Sequence, residues 1–196
     1  MDYFMKVLGV GSSMRKGSFS TLTLKITLEL VKKQGAETRL LDLQNTSLPM
    51  FYSEERETPE IKKVTDDVKW ADAFILATPD YHGSMSGSMK NFLDYFWSEF
   101  AGKLFGYICA SHEKGLTVME QMRTSVRQCY GWSMPYGISI NGDEDFDNGQ
   151  LSNTKLKPRL EMLSRDLIVY GEFIRNQFLK DIDNSVSNSF AYKYKK

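Results

Sequence analysis

The sequence predicts an α/β fold in which a doubly wound, five-stranded parallel sheet carries helices on both faces. Three observations support this prediction. Apolar segments of strand length alternate with longer segments whose apolar residues recur at helical spacing. Residues 73–77 are apolar at every position, which is typical of a parallel strand buried on both faces. No repeat or linker interrupts the 196 residues, so one domain accounts for the alternation.

Boundary signals place the individual elements along the chain. The strands are predicted at residues 5–11, 37–43, 72–78, 103–111 and 137–141. The helices are predicted at residues 18–34, 59–70, 85–97, 114–130 and 158–178. Gly35 is a helix stop signal, and Thr58 precedes Pro59 as an N-cap before a proline at the first helical position. The charged run 53–58 and the turn-rich segment 142–157 are predicted to be loops.

This alternation implies right-handed crossovers, and the flavodoxin-like strand order 2-1-3-4-5 suits a chain of this size. In that order the second strand lies at an edge, in keeping with its partial alternation. The loops after strands one and three then open into one crevice at the carboxyl ends of the strands. We expect residues 1–180 to form a single domain and residues 181–196 to form a polar tail that is frayed or disordered.

Composition narrows the function classes. The 25 basic and 25 acidic residues cancel, which gives no electrostatic reason to expect nucleic acid or an anionic membrane as a partner. No apolar run approaches the ~20 residues of a membrane span, and residues 1–4 lack the basic start of a signal peptide. Cys109 and Cys129 lack metal-ligand spacing, so no metal site is predicted, and two thiols without a secretion signal favour a cytoplasmic protein.

A loop rich in hydroxyl groups follows the first strand directly and leads into the first helix. It reads Ser-Ser-Met-Arg-Lys-Gly-Ser-Phe-Ser over residues 12–20. Unpaired N–H groups of the first helical turn, the helix dipole and the Arg15 guanidinium suit a phosphate group. The loop matches neither the nucleotide-triphosphatase motif nor the dinucleotide motif. On its own it leaves open whether it binds phosphate or whether Ser18 merely caps the helix.

At this loop and at the loop after strand three, the chain resembles the NADPH-dependent FMN reductase family, which includes quinone, azo-dye and chromate reductases. The family opens with G-S-x-R-x-x-S-[FY]-[NS], against S-S-M-R-K-G-S-F-S at residues 12–20. Its second motif is P-E-Y-x-x-S-x-x-G-x-L-K-N-x-[IL]-D-[WY], against P-D-Y-H-G-S-M-S-G-S-M-K-N-F-L-D-Y at residues 79–95. The likeness covers roughly residues 5 to 178. Two long motifs at the right separation are far more specific than either alone.

The resemblance implies a flavodoxin-like domain that binds FMN, with NADPH as reductant and NADH as a possible one. The residues that it assigns to the FMN phosphate are Ser13, Arg15, Ser18, Phe19 and Ser20. The residues that it assigns to the isoalloxazine ring are Pro79, Asp80, Tyr81, His82 and Gly83, with Ser111 on the far side. Arg15 would also face the 2′-phosphate of NADPH. The resemblance further implies a homodimer or tetramer, in which Trp97, Phe100 and Phe105 would meet a second subunit.

The implied function is an NAD(P)H oxidoreductase that passes two electrons through FMN to a small acceptor, such as a quinone, an azo compound, free flavin or a metal ion. Because the cofactor performs the chemistry, no catalytic residue is predicted, and His82 is the one weak candidate. Two alternatives stay open. One is a non-enzymatic flavin-binding electron carrier or redox sensor, and the other is a flavin-free interaction domain on the same fold.

Three features depart from the family pattern. Ser12 replaces the usual glycine and would crowd a turn that needs positive φ. Asp80 replaces the usual glutamate and is one methylene shorter, which changes a contact within its loop or with a partner subunit. The acidic run 143–147 has no assigned counterpart; it lacks the ligand spacing of a calcium loop and is predicted to be a solvated turn.

Overall fold

The computed structural model describes residues 4–54 and 58–195. The strands are β1 (Lys6–Gly11), β2 (Glu37–Asp42), β3 (Ala73–Pro79), β4 (Leu104–Ala110), β5 (Trp132–Ser133), β6 (Ile138–Ile140), β7 (Phe146–Asp147) and β8 (Gln150–Leu151). The helices are α1 (Phe19–Lys33), α2 (Pro59–Trp70), α3 (Gly87–Asp94), α4 (Leu116–Gln128), α5 (Gly142–Asp145) and α6 (Leu156–Asp183), with 3₁₀ turns at Ser98–Phe100 and Phe190–Tyr194. Of the sequence predictions, residues 1–3 of the N-terminal segment, 55–57 of the charged run and 196 of the polar tail lie outside the described residues.

The main sheet has the order β2-β1-β3-β4-β5, and β6 also pairs with β4. All of its pairings are parallel. The predicted flavodoxin-like order 2-1-3-4-5 is therefore confirmed, with β2 at an edge. The fifth position differs from the prediction, because β5 pairs with the start of β4 and the predicted strand, now β6, pairs with its end. Pro135 lies between the two pieces and has no N–H for a sheet hydrogen bond.

Helices cover the sheet on both faces, and each face has its own core. One core contains the apolar side chains of α2, α3 and α4, centred on Phe74, which stacks on Phe105 with ring centroids 4.5 Å apart. The other contains those of α1 and α6. The strands β3 and β4 are buried nearly throughout, which agrees with their continuous apolar sequences. Within the described residues, no helix is long and apolar enough to cross a membrane.

Local capping explains the helix boundaries. The Thr58 side chain accepts a hydrogen bond from Ile61 N and Pro59 opens α2, as predicted. Gly35 follows α1 with φ of +93°, which confirms the predicted stop. Helix α3 begins later than predicted because Ser86 is its N-cap and accepts from Met89 N.

The prediction of a frayed or disordered C-terminal segment is wrong. Helix α6 continues to Asp183, and the 3₁₀ turn Phe190–Tyr194 packs back on the domain. Ala191 is fully buried, and the rings of Phe190 and Tyr194 contact Phe178 at centroid distances of 5.5 and 5.8 Å. The burial of these aromatic rings offsets the conformational entropy that the segment loses when it becomes ordered. The polar residues of the segment could not offset that entropy on their own.

The three aromatic residues predicted to meet a second subunit separate in the structure. Phe100 and Phe105 are fully buried within the chain's own core, in edge contact with each other at 5.1 Å. Trp97 is 61% exposed. The apolar sequence around residues 97–105 therefore mainly serves the core, and a subunit contact remains a prediction for Trp97 alone.

Candidate functional site

A cleft of about 530 Å³ lies at the carboxyl ends of β1, β3, β4 and β6. Its lining includes every residue predicted from sequence to form the site except Ser20, namely Ser13, Arg15, Ser18, Phe19, Pro79, Asp80, Tyr81, His82, Gly83 and Ser111. Parallel strands place all of their carboxyl ends at one edge, and β1 lies beside β3 at the switch point of the sheet. The fold therefore brings the two motif loops into one crevice. A volume of this size suits a cofactor or a drug-sized molecule.

The loop after β1 leaves donors available at the start of α1. Gly17 has φ of +66°, a conformation in which glycine is not strained, and the chain then enters the helix at Phe19. Ser18 makes no capping hydrogen bond; its hydroxyl is bonded to that of Ser20 at 2.9 Å. Among the described residues, the N–H groups of Phe19, Ser20 and Thr21 have no recorded acceptor. This arrangement contradicts the capping alternative and favours an anion at the helix N-terminus.

The two hydrogen-bonded serines, Ser18 and Ser20, lie at different depths below the cleft. Ser20 is fully buried behind Ser18, which is itself mostly buried but lines the cleft. Ser13 is buried, and its hydroxyl accepts the N–H of Arg15 at 3.2 Å. Arg15 is exposed at the cleft and is the one arginine in its lining. A cation at the rim, above a cluster of hydroxyl groups and free N–H groups, is a suitable donor set for phosphate.

Ser12 is not crowded, contrary to the concern raised by its replacement of glycine. It is not among the described residues with positive φ, and it is fully buried. Its hydroxyl donates to Ala77 O at 3.1 Å and accepts from the Ser86 hydroxyl at 2.8 Å. Ser88 donates to Ser12 O. The replacement therefore links the loop after β1 to β3 and to the start of α3 below the cleft.

The loop after β3 forms a tight reverse turn. Tyr81 and Ser84 exchange backbone hydrogen bonds, and the two residues between them, His82 and Gly83, have φ of +58° and +76°. Positive φ at both central positions is typical of a type I′ turn. Tyr81 is 46% exposed, so its ring is a wall of the cleft and not a core residue. His82 is exposed at the tip of the turn.

Asp80 joins this loop to the one after β4. Its Oδ1 accepts from Gly83 N at 2.8 Å, and its Oδ2 accepts from the Ser111 hydroxyl at 2.8 Å. The predicted contact within the loop is therefore present, and the contact to the neighbouring loop was not predicted. Burial, and secondarily the Asp80 charge, raise the pKa of the Cys109 thiol to about 12. Cys109 is thus a protonated core thiol and not a nucleophile.

A third wall, missed by the motif analysis, follows β6. Asn141, Gly142 and Asp143 line the cleft. A Cβ on Gly142 would lie 1.9 Å from the Phe19 ring, so this wall packs directly against the start of α1. Phe146 also contacts Phe19, with ring centroids 5.1 Å apart. The rule that ligands bind beyond the carboxyl ends of strands could have located this loop once the fifth strand was placed.

The acidic run 143–147 is more than a solvated turn, and that prediction is wrong for Asp145. Asp145 is buried, and its carboxylate accepts from Asn141 N at 2.7 Å and from Asn153 Nδ2 at 2.6 Å. It thereby ties the short helix α5 to the residues after the β7–β8 hairpin. Asp143 and Asp147 stay exposed. The run combines one structural carboxylate with exposed acidic neighbours.

The remaining lining comes from the loop after β4 and the first turn of α4, and consists of Ala110, His112, Glu113, Gly115, Leu116 and Thr117. Leu116 is 65% exposed, which gives the rim an apolar side chain. Within residues 4–54 and 58–195, no group of three His, Cys, Asp or Glu side chains could hold a metal ion.

Comparison with known proteins identifies the family of the chain. A family model for NADPH-dependent FMN reductases matches residues 5–145. An NADPH azoreductase from Bacillus sp. (strain OY1-2) is 32% identical over 139 residues, which cover 68% of this chain and 77% of that protein. An FMN-dependent NADPH-azoreductase from Staphylococcus aureus is 32% identical over 152 residues, covering 72% of this chain and 79% of that protein.

Solved structures agree on the fold. An apo NADH:FMN oxidoreductase (EMOB) superposes with a TM-score of 0.75 at 16% identity, covering 85% of this chain and 89% of that one. The NAD(P)H:acceptor oxidoreductase FerB from Paracoccus denitrificans gives a TM-score of 0.72 at 18% identity, covering 86% and 97%. The family model spans all three loops described above, up to Asp145. The chain belongs to the NADPH-dependent FMN reductase family, whose members are oxidoreductases that use FMN as cofactor and NADPH as reductant.

Proposed function

We propose that the protein passes two electrons from NADPH through FMN in this cleft to a small acceptor of the azo, quinone, free-flavin or metal-ion type. The observation that carries the proposal is the junction of three loops at the switch point, with uncapped N–H groups of α1 on one side and the Asp80–Ser111 contact on the other. An azo acceptor has the most direct support, because two of the relatives are named azoreductases.

The residues at the start of α1 fit the phosphate end of FMN. The free N–H groups of Phe19 to Thr21 and the hydroxyl groups of Ser13 and Ser18 would donate to the phosphate oxygens, and Arg15 would supply the charge. Ser20 would act from behind by orienting the Ser18 hydroxyl. Phe19 would act as the packing contact that holds the third wall against this donor set.

The opposite end of the cleft fits a planar ring. Tyr81 presents an exposed aromatic side chain, and Pro79 to Gly83 present a turn whose backbone is held by hydrogen bonds. When bound, FMN supplies the redox chemistry by taking up an electron pair from a nicotinamide and passing it on. The chain's own residues then bind, orient and shield, and His82 is an exposed group that could hold a proton near an acceptor.

The visible absorption spectrum is the direct test. Purified protein supplied with FMN should show a protein-bound flavin band that bleaches promptly when NADPH is added without oxygen. A bound flavin that stays oxidised with both NADPH and NADH would favour the electron carrier over the reductase. A protein that leaves added FMN free in solution would contradict the assignment of the cleft.

Substitution of Arg15 tests the phosphate assignment. Loss of one charge-assisted hydrogen bond donor should weaken FMN binding by about 10-fold in Arg15→Ala. Lys16→Ala is the matched control, because Lys16 is an adjacent exposed cation outside the cleft lining. If Arg15 also meets the 2′-phosphate, the ratio of kcat/KM for NADPH to that for NADH should fall in Arg15→Ala only. Equal FMN affinity in both variants would remove Arg15 from the site.

We also propose a cytoplasmic homodimer. The two cysteines are free thiols, in keeping with a reducing compartment, and Trp97 exposes 61% of its surface beside the end of α3. Light scattering on the eluted protein gives the mass directly. A dimer that dissociates in Trp97→Glu would support the interface, and a monomer at micromolar concentration would contradict it.

A further inference from the structure

The backbone N–H groups of the loop after β3 are nearly all committed to acceptors in the protein. Asp80 N donates to Ala110 O at 2.8 Å, and Gly83 N donates to Asp80 Oδ1 at 2.8 Å. Tyr81 N and Ser84 N donate to each other's carbonyl groups at 2.9 and 3.2 Å. Within residues 80–84, the His82 N–H is the one group with no recorded acceptor among the described residues. The loop therefore offers a ligand a single backbone donor.

The hydroxyl of Ser111 is committed in a comparable way. It donates its proton to Asp80 Oδ2 at 2.8 Å and accepts from Glu113 N at 3.0 Å. A serine hydroxyl has one proton and two lone pairs, so Ser111 can only accept a hydrogen bond from a ligand in the cleft. Both the donor at His82 and the acceptor at Ser111 depend on the same carboxylate.

We propose that Asp80 is a positioning residue for the flavin. Its carboxylate clasps the loop after β3 to the loop after β4, which keeps the His82 N–H free as a donor and turns the Ser111 hydroxyl into an acceptor. This inference rests on the proposed function, in that FMN is the ligand of the cleft. It assigns to Asp80 a role through its two neighbours and not through a contact of its own.

The chemistry of the two bonds explains why a carboxylate is needed. Each oxygen of Asp80 accepts from a different loop, and the two loops follow adjacent strands of the sheet, β3 and β4. An amide would turn one acceptor into a donor facing either the Gly83 N–H or the Ser111 O–H. Facing Ser111, the NH2 group would donate to the hydroxyl oxygen, and the Ser111 proton would become available to the cleft. Facing Gly83, it would leave the Gly83 N–H without its acceptor. In the second orientation the turn at His82 and Gly83, both at positive φ, would lose one of the bonds that hold it.

The test uses the full-length chain and FMN as the probe. The variants compared with the wild type are Asp80→Asn, Asp80→Ala, Ser111→Ala and the double variant Asp80→Asn/Ser111→Ala, together with two controls. Asp80→Glu is the conservative variant, since it keeps both acceptors and the charge, and Asp143→Asn removes a carboxylate from the same cleft without touching the clasp. Each protein is characterised by three measurements. These are the dissociation constant of FMN, the reduction midpoint potential of bound FMN and the thermal unfolding midpoint of the FMN-free protein.

We expect Asp80→Asn to weaken FMN binding by about 10- to 100-fold and Ser111→Ala by less, with the double variant no weaker than Asp80→Asn. Asp80→Glu should stay within about threefold of the wild type, and Asp143→Asn should change affinity less than Asp80→Asn. The midpoint of bound FMN should rise in Asp80→Asn, because a negative charge near the site is lost. The proposal would be overturned if the FMN affinity of Asp80→Asn lay within twofold of the wild-type affinity. It would also be overturned if the effects of Asp80→Asn and Ser111→Ala on FMN affinity were additive.

Exchange of the Gly83 amide proton in the FMN-free protein separates this inference from the proposed function. Its exchange should be at least several-fold faster in Asp80→Ala, which removes both acceptors, than in the wild type or in Asp80→Glu. If the wild type fails to bind FMN while the Gly83 proton still responds, the proposed function fails and the clasp stands as a structural feature. If the wild type binds FMN and the Gly83 proton does not respond, the clasp fails and the function stands.

Discussion

The two ends of the main sheet differ sharply. At the carboxyl end, four strands finish in loops whose polar groups line an open cleft, and several N–H groups there have no recorded acceptor among the described residues. At the amino end, the side chains of Lys103 and Asp72 are buried and hydrogen-bonded. Lys103 is 4% exposed, and its Nζ donates to Val68 O at 2.9 Å. Asp72 accepts from Lys6 N at 3.0 Å.

Aromatic residues from the C-terminal segment complete the amino end. Gly102, just before β4, has φ of +68°, and a Cβ there would lie 2.2 Å from Phe178. Phe178 in turn contacts Phe190 and Tyr194 of the last 3₁₀ turn. This end is closed by packing, while the other is left open for a ligand.

Stability and ligand binding are therefore separated along the strands. Substitutions at the amino end should lower the free energy of unfolding and leave the affinity for FMN unchanged. Substitutions at the carboxyl end should change affinity at a smaller cost in stability. Four substitutions test this separation, beginning with the largest expected effect.

Gly102→Ala should be the most destabilising, by about 4 kcal/mol, because it combines a left-handed conformation with an overpacked contact to Phe178. Urea denaturation measures the loss. Gly35→Ala is the matched control, since Gly35 also has positive φ at the amino end but would place its Cβ in open space. Gly35→Ala should lower the free energy of unfolding by the backbone component alone, about 1 kcal/mol. A loss of FMN affinity in folded Gly102→Ala protein would contradict the separation of stability from ligand binding.

Lys103 should make stability depend on pH. Burial, and secondarily the nearby Arg175 charge, lower the pKa of its ammonium to about 7, although Asp72 and Glu99 oppose the shift. In the unfolded chain the pKa returns to about 10.5. Between these values the unfolded state binds more protons, so the free energy of unfolding should rise as the pH increases from about 7 to 10.5. Below about 7 both states are protonated, and this contribution stays constant at its unfavourable limit.

Lys103→Met should remove this slope, which is worth roughly 2 to 3 kcal/mol between pH 7 and 9. Denaturant midpoints at pH 7, 8 and 9 compare the two proteins, and Lys69→Met serves as an exposed control. Parallel curves for the wild type and Lys103→Met would mean that the amine keeps its ordinary pKa. FMN affinity should be the same in both, since Lys103 lies at the opposite end of the strand from the cleft.

Asp145→Ala should destabilise the third wall of the cleft by about 2 kcal/mol, because two half-buried donors, Asn141 N and Asn153 Nδ2, lose their acceptor. Here the loss should include FMN affinity, since Gly142 and Asp143 would no longer be held beside Phe19. Asp147→Ala removes an exposed carboxylate from the same segment and should change neither quantity. If Asp145→Ala lowers stability but leaves FMN binding intact, the third wall is not part of the flavin site.

The sequence was sufficient for the features that are contiguous along the chain. The strand order follows from alternation, and two motif loops are read directly from residues 12–20 and 79–95. The third wall could not be read in this way, because it depends on Phe19 meeting Gly142 and Phe146 across more than a hundred residues. The closed amino end was missed for the same reason. Phe190 sits in a polar segment, and only the folded chain brings it to Phe178.

Side-chain partners within the motifs were equally hidden. The hydrogen bond between Asp80 and Ser111 joins residues that are 31 positions apart, and no spacing in the sequence predicts it. The same holds for Ser12. Its replacement of a glycine predicted crowding, whereas in the structure its hydroxyl group forms hydrogen bonds to Ala77 and Ser86. Departures from a family pattern are therefore places where this chain has built its own contacts.

Ser12→Gly, which restores the residue usual in the family, gives the smallest and most selective of the four effects. It removes the hydroxyl that donates to Ala77 O and accepts from Ser86, so stability should fall by about 1 kcal/mol. Ser12→Ala removes the same hydroxyl without adding backbone freedom, and its smaller loss gives the hydrogen-bond component alone. In a double-mutant cycle with Ser86→Ala the losses should be less than additive, because the two hydroxyl groups share one bond. Additive losses would mean that Ser12 acts through its backbone, and that the link between the loop after β1 and α3 contributes nothing to holding the cleft together.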